Sequence, residues 1–130
     1  MIYGIGVDLV SISRMDGVIR RWGDRFVHRV FTAAETEACY KRAFPASAFA
    51  LRFAAKEAFS KALGLGMRKG IRWREIETFN YPSGKPSLRI HGRSSEICRE
   101  IGVTGIHLSL SDEGKYGVAM VVMETDSRNG

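Results

Sequence analysis

Three segments of this 130-residue chain hold residue types suited to chemistry on charged substrates. The first is Gly4-Ile5-Gly6-Val7-Asp8. Side chains alternate across a strand, so Gly4, Gly6 and Asp8 share one face and Tyr3, Ile5, Val7 and Leu9 the other. The face with the carboxylate is therefore stripped of bulk. That suits either close packing against a helix or room for a ligand beside Asp8. The segment is not a GxGxxG fingerprint, because the third glycine is missing and Asp8 stands where the turn would be. The second segment is Arg52-Phe53-Ala54-Ala55-Lys56-Glu57-Ala58-Phe59-Ser60-Lys61-Ala62-Leu63-Gly64. Glu57 and Lys61 are four apart and share a helix face, which makes them at least a surface ion pair. Arg52 and Lys56 have the same spacing, but two cations repel unless an anion lies between them or both are solvated. The third is His107-Leu108-Ser109-Leu110-Ser111. Alternation puts one imidazole and two hydroxyls on a single strand face, as a buried polar network, a solvated sheet face or a row of donors for phosphate oxygens.

Metal chemistry has few alternatives here. No Cys/His cluster has zinc-ligand spacing, and no HExxH, GxSxG or Walker A pattern occurs. A metal would have to be held by carboxylates. Two carboxylates with water and substrate phosphates suit Mg²⁺, a hard ion that keeps several waters. Cys39 and Cys98 are far apart and in no CxxC pattern, which reads as free thiols in a reducing cytoplasm. There are 20 Lys and Arg against 14 Asp and Glu, a formal net charge of +6, so an acidic partner is expected. Nucleic acid, a phosphate-rich small molecule and an acidic protein all qualify on charge alone. No apolar run reaches the roughly 18 residues of a membrane span, and the N-terminus has no signal-peptide pattern.

The elements that must position these residues follow from periodicity. Residues 2–10 read as a strand, and residues 12–30 as one amphipathic helix with Ile12, Met15, Ile19, Trp22, Phe26 and Val30 on its apolar face. Arg14, Arg21, Arg25 and Arg29 form an adjoining stripe, either a solvated face or a docking edge for an acidic helix. Thr32 and Glu35 form a capping box that starts a helix running to about Phe44, where Pro45 stops it. A further helix spans about Ala46 to Leu63 and ends at Gly64. Residues 71–79 and 87–91 flank a turn-rich stretch containing Gly84-Lys85-Pro86 and predict a hairpin. A short helix over about 94–101 precedes a second hairpin, 106–111 with 116–124. The expected fold is α+β: one domain over residues 1–124, a mostly antiparallel sheet with helices packed against it, and a frayed polar tail at 125–130.

Taken in order, Gly-Ile-Gly-Val-Asp-Leu-Val, Phe-Thr-Ala-Ala-Glu, Arg-Phe-Ala-Ala-Lys-Glu-Ala-Phe-Ser-Lys-Ala-Leu-Gly, Gly84-Lys85-Pro86 and His-Leu-Ser-Leu-Ser closely resemble the bacterial holo-acyl-carrier-protein synthases. These are the small class of 4′-phosphopantetheinyl transferases, and the resemblance runs from about Met1 to Glu124. It implies Mg²⁺-dependent transfer of the phosphopantetheine arm of coenzyme A to a serine of apo-acyl carrier protein, releasing adenosine 3′,5′-bisphosphate. Such a reaction belongs to fatty-acid or polyketide biosynthesis. The resemblance also implies a cytoplasmic homotrimer with active sites between subunits, no membrane and no nucleic acid. Carried over by position, Asp8 and Glu57 become metal ligands and, with Lys61, the catalytic group. Arg52, Lys61 and His107 become coenzyme A phosphate contacts, and Gly64, Gly84, Lys85 and Pro86 line the nucleotide cleft. Arg14, Arg21 and Arg25 become the dock for the acidic carrier. One departure stands out: the family commonly has histidine where this chain has Asp112, and the position is expected to be dispensable. Two rivals are a member that has lost catalysis and a nucleic-acid-binding domain. The second rests on Trp73 between Arg72 and Arg74.

Overall fold

The computed structural model describes residues 1–68 and 70–126. Strand β1 (Ile2–Ser11) leads directly into α1 (Ile12–Trp22) and α2 (Asp24–Val30). The single helix expected over 12–30 is broken at Gly23, whose φ of 53° belongs to the left-handed region. The break separates Arg14 and Arg21 from Arg25, and it leaves Trp22, assigned to the apolar face, exposed.

The capping box at Thr32 and Glu35 forms as expected and opens α3 (Ala33–Tyr40). That helix ends four residues short of Phe44. Pro45 does not stop it; instead Pro45 occupies the first turn of α4 (Pro45–Leu63), where a missing amide hydrogen costs nothing. Gly64, with φ 82°, closes α4. The hairpin β2 (Ile76–Asn80) and β3 (Pro86–Ile90) is shorter than expected, because Trp73–Glu75 form a 3-10 turn. Helix α5 (Gly92–Ile101) precedes the second hairpin, β4 (Val103–Asp112) and β5 (Tyr116–Thr125). Strand β5 thus takes in Thr125, the first residue of the expected tail, and residues 127–130 lie outside the described ones.

The main sheet is antiparallel in the order β1-β5-β4, with β2-β3 as a separate pair. Its inner face packs Ala119, Val121 and Met123 of β5 against Ala55, Ala58, Phe59 and Ala62 of α4. A second cluster, with Met15, Val27, Val30, Phe31 and Phe49, fills the space between α1–α3 and the first half of α4. The outer face of β1 has no such cover: Ile5 is 55% exposed and Leu9 64%.

Gly4 and Gly6 resolve to close packing. A Cβ on Gly6 would lie 1.8 Å from the Ala58 carbonyl oxygen, and one on Gly4 would lie 2.0 Å from that of Ala62. Two strand residues advance about 6.6 Å and one helical step of four about 6 Å, so β1 and α4 stay in step. Asp8, two residues beyond Gly6 on the same face, is carried to the flank of α4 that bears Glu57 and Lys61.

Candidate active site

Asp8 and Glu57, remote in sequence, line one cavity of about 360 Å³ together with Arg14, Met15, Phe26 and Phe53. Lys61 donates to Asp8 Oδ1 at 2.9 Å and to the Val7 carbonyl at 3.0 Å. Lys61 therefore pairs with Asp8, and the Glu57–Lys61 ion pair expected from their spacing does not form; Lys61 acts on Glu57 only through its charge. Burial raises the Glu57 pKa, the Asp8 charge raises it further, and Lys61 offsets part of the rise. Two carboxylates facing one cavity, one of them resisting ionisation, form a site that a cation would relieve. No group of three or more His, Cys, Asp or Glu side chains gathers for a metal among the described residues. The pair is thus matched to a hard ion that retains water and takes ligands from substrate, as Mg²⁺ does.

A second group lies elsewhere on the helix. Arg52 and Glu57 are five positions apart, roughly 140° around a helix of 3.6 residues per turn. Two adjoining clefts, about 410 Å³ and 220 Å³, share Arg42, Arg52, Asn80 and Gly84 as lining residues. Arg89 borders the first and Pro86 the second. Arg52 is only 6% exposed. It donates to the Ala48 carbonyl, and its Nε has no hydrogen-bond partner among the described residues. Arg42, Arg52 and Arg89 outnumber the single carboxylate, Glu77, that lines the first cleft, an excess of positive charge that suits an anion. The turn that shapes this cleft is tied by Gly84 N donating to the Tyr81 carbonyl and Asn80 Nδ2 to the Gly84 carbonyl. Lys85 is exposed in the same turn, and Gly64 sits exposed at the end of α4, one turn past Lys61.

Lys56, the second cation of the Arg52–Lys56 pair, is not solvated but meets an anion. It is fully buried, and its ammonium donates to Glu35 Oε1 at 2.7 Å and to the carbonyls of Trp73 and Ile76. The same Glu35 carboxylate accepts from the Thr32 amide and from the amide and hydroxyl of Thr78. Glu35 is therefore a cap and a core counter-ion at once. Trp73 stacks on Phe53 with ring centroids 5.0 Å apart.

His107 lies on the outer face of β4, bonded through Nε2 to Glu124. Arg14 borders the Asp8–Glu57 cavity, whereas Arg25 and Arg29 line a groove with Val18, Trp22 and Phe26. Arg21 lies over the Trp22 ring at 5.2 Å. Asp112 borders a different groove, with Ser13 and Asp16, and not the Asp8–Glu57 cavity. Arg42, Asn80, Arg89 and Glu124 join these sites although no sequence motif marked them. Their neighbours come from other elements, so spacing along the chain carried no signal.

The sequence profile of the 4′-phosphopantetheinyl transferase superfamily matches residues 4–121. The holo-acyl-carrier-protein synthase of Syntrophus aciditrophicus is 44% identical over 124 residues, covering 95% of this chain and 97% of that protein. A crystal structure of the holo-acyl-carrier-protein synthase from Neisseria meningitidis matches with TM-score 0.90 at 38% identity, over 96% of this chain and 100% of that one. The Helicobacter pylori holo-acyl-carrier-protein synthase, solved in complex with coenzyme A, matches with TM-score 0.82 at 29% identity, over 92% and 99% of the two chains. The chain belongs to the 4′-phosphopantetheinyl transferase superfamily, a family of enzymes, and the relatives it resembles along its length are holo-acyl-carrier-protein synthases.

Proposed function

We propose that this protein transfers the 4′-phosphopantetheine arm of coenzyme A to a serine of apo-acyl carrier protein, with Mg²⁺ and release of adenosine 3′,5′-bisphosphate. The observation that carries the reading is the convergence of Asp8 and Glu57 on one cavity, enforced by Gly4 and Gly6. In the reaction the serine oxygen bonds to the β-phosphorus and gives up its proton to water, and the bond from that phosphorus to the leaving nucleotide phosphate breaks. Little covalent work falls to the protein, so positioning and charge neutralisation dominate. Asp8 and Glu57 would hold the metal ion, which would supply charge neutralisation for the diphosphate. Lys61, with half of its side chain open to solvent, turns from Asp8 to the phosphate oxygens. Arg52, His107 and the Gly84-Lys85-Pro86 turn receive the nucleotide end, and Gly64 keeps the end of α4 open.

One chain presents these groups in parts. Arg52 and Glu57 point from α4 in directions about 140° apart, and His107 lies on the outer sheet face. That face carries Ile5, Val7, Leu9 and Met120, an exposed apolar stripe of the kind that marks a protein interface. A homotrimer in which neighbouring copies complete each site satisfies both observations. Arg14, Arg21 and Arg25, beside Phe26 and Trp22, dock the acidic carrier. Residues 1–124 form the transferase domain. No helix among the described residues is long and apolar enough to cross a membrane, and Cys39 and Cys98 are buried thiols. A cytoplasmic role in fatty-acid or polyketide synthesis fits both.

Intact-mass analysis of apo-carrier protein incubated with the enzyme, coenzyme A and Mg²⁺ tests the reading. The expected result is a mass gain of one prosthetic arm, lost with EDTA and restored by excess Mg²⁺. No gain overturns the transfer, and a gain indifferent to EDTA overturns the metal.

A further inference from the structure

The outer sheet face holds a contact that the transfer reaction, as derived so far, does not use. In the register of β4 and β5, His107 lies opposite Val122, and Gly105 opposite Glu124. Glu124 is thus the diagonal neighbour of His107, a separation that a long side chain can span only along a clear path. Gly105 provides the path. A Cβ there would lie 2.9 Å from Glu124 Oε1 and 3.4 Å from His107 Nε2. The carboxylate reaches across this gap to Nε2 at 2.5 Å, although the two side chains are 46% and 60% exposed.

An exposed pair of this kind contributes little to folding. Its effect falls on the ring, whose two nitrogens are coupled: whatever occupies one decides what the other offers. With Nε2 held by Glu124, Nδ1 is the nitrogen left to meet a ligand. The hydrogen bond from His107 and its charge hold the Glu124 carboxyl below the usual carboxylate range, so the acceptor stays ionised. The other charged group acting on Glu124 is the Met1 ammonium, which donates to the Thr125 carbonyl at 2.7 Å. Tyr3 is the further titratable side chain on this face of β1.

We propose that Glu124 is a positioning residue for coenzyme A: it pins His107 through Nε2 and turns Nδ1 toward a phosphate of the coenzyme. This rests on the reading of His107 as a coenzyme A contact. Glu124 acts only through the ring, so its contribution vanishes when the ring is removed.

A double-mutant cycle on the full-length enzyme tests this, with coenzyme A varied at saturating carrier protein. Glu124→Ala is expected to raise the coenzyme A KM roughly three- to tenfold, as loss of a charge-assisted hydrogen bond would, with kcat and the carrier KM unchanged. In the His107→Ala background, Glu124→Ala should add nothing. Gly105→Ala, which crowds the carboxylate and leaves both side chains in place, should shift the coenzyme A KM in the same direction. A full Glu124→Ala effect without the imidazole overturns the positioning role. So does a loss of assembly with a parallel fall in kcat, which would make Glu124 an interface residue. If His107→Ala alone leaves the coenzyme A KM unchanged, the reading of His107 fails instead, and the two failures are distinguishable.

Discussion

Lys56 and Glu57 are neighbours on one helix, yet their surroundings are opposites. Lys56 points inward, and every hydrogen of its ammonium has an acceptor, in Glu35 and two backbone carbonyls. Glu57 lines a cavity with another carboxylate, Asp8, whose charge raises its pKa while Lys61 lowers it. The inner group is closed and complete. The outer group is only partly compensated: Lys61 pairs with Asp8 at 2.9 Å, while Glu57, with no ion-pair partner of its own among the described residues, still resists ionisation. A single residue step along α4 therefore separates electrostatics that specify the fold from electrostatics of the kind that functional sites carry.

Breaking the closed side should have the largest effect. Lys56→Ala or Glu35→Ala leaves a buried charge without its partner and should lower stability by about 3–5 kcal/mol, measured by denaturant unfolding. Replacing both with apolar residues should not restore it. The Thr32 and Thr78 amides and the Trp73 and Ile76 carbonyls would all lose partners.

The open side should respond in the opposite sense. Glu57→Gln should cost roughly 10²–10³-fold in transfer rate, the scale of losing a preorganised charge-stabilising group. Without metal, its Tm should match or exceed that of the parent. The folded state favours protonated Glu57, so that contribution to stability is present below its ordinary value of 4.5 and lost as pH rises through the raised pKa. The glutamine cannot ionise, so its Tm advantage should grow from about pH 4.5 toward neutrality in EDTA, followed by thermal melts.

Between the two sides lies the strand–helix contact that sets the cavity. Gly6→Ala should destabilise by about 1–3 kcal/mol, because the methyl meets backbone rather than a yielding side chain. Gly17→Ala on exposed α1, with open space around its Cβ, should instead stabilise by about 0.5–1 kcal/mol. The smallest effect belongs to the rim. Arg14→Ala or Arg21→Ala should raise the carrier-protein KM about threefold and leave the coenzyme A KM unchanged in steady-state assays. Equal changes in both would remove these arginines from the dock.

Local signals in the sequence located most elements. Period-two alternation marked β1, Thr32 and Glu35 marked the start of α3, and Gly64 marked the end of α4. The errors arose where one residue serves two masters or a signal reads both ways. Pro45 suits a first turn as well as a stop, and Gly23 breaks an apolar period that runs through it. The anion that Lys56 needed could not be named, because it is Glu35, already assigned to a cap and on another helix. For the site, the resemblance named Asp8 and Glu57. Only the backbone contact at Gly4 and Gly6 explains why they meet. The cleft around Arg52 draws on Arg42, Asn80 and Arg89 across three elements, and alternation along a single strand contains nothing of that.

That glycine seam has one more consequence. Since peptide groups touch there with no side chain between them, the backbone spacing of the strand and helix that carry the two acids has no rotamers to soften it on warming. The proposed site lasts as long as the strand stays seated on its helix, and heat should abolish turnover and tertiary structure in one event rather than two.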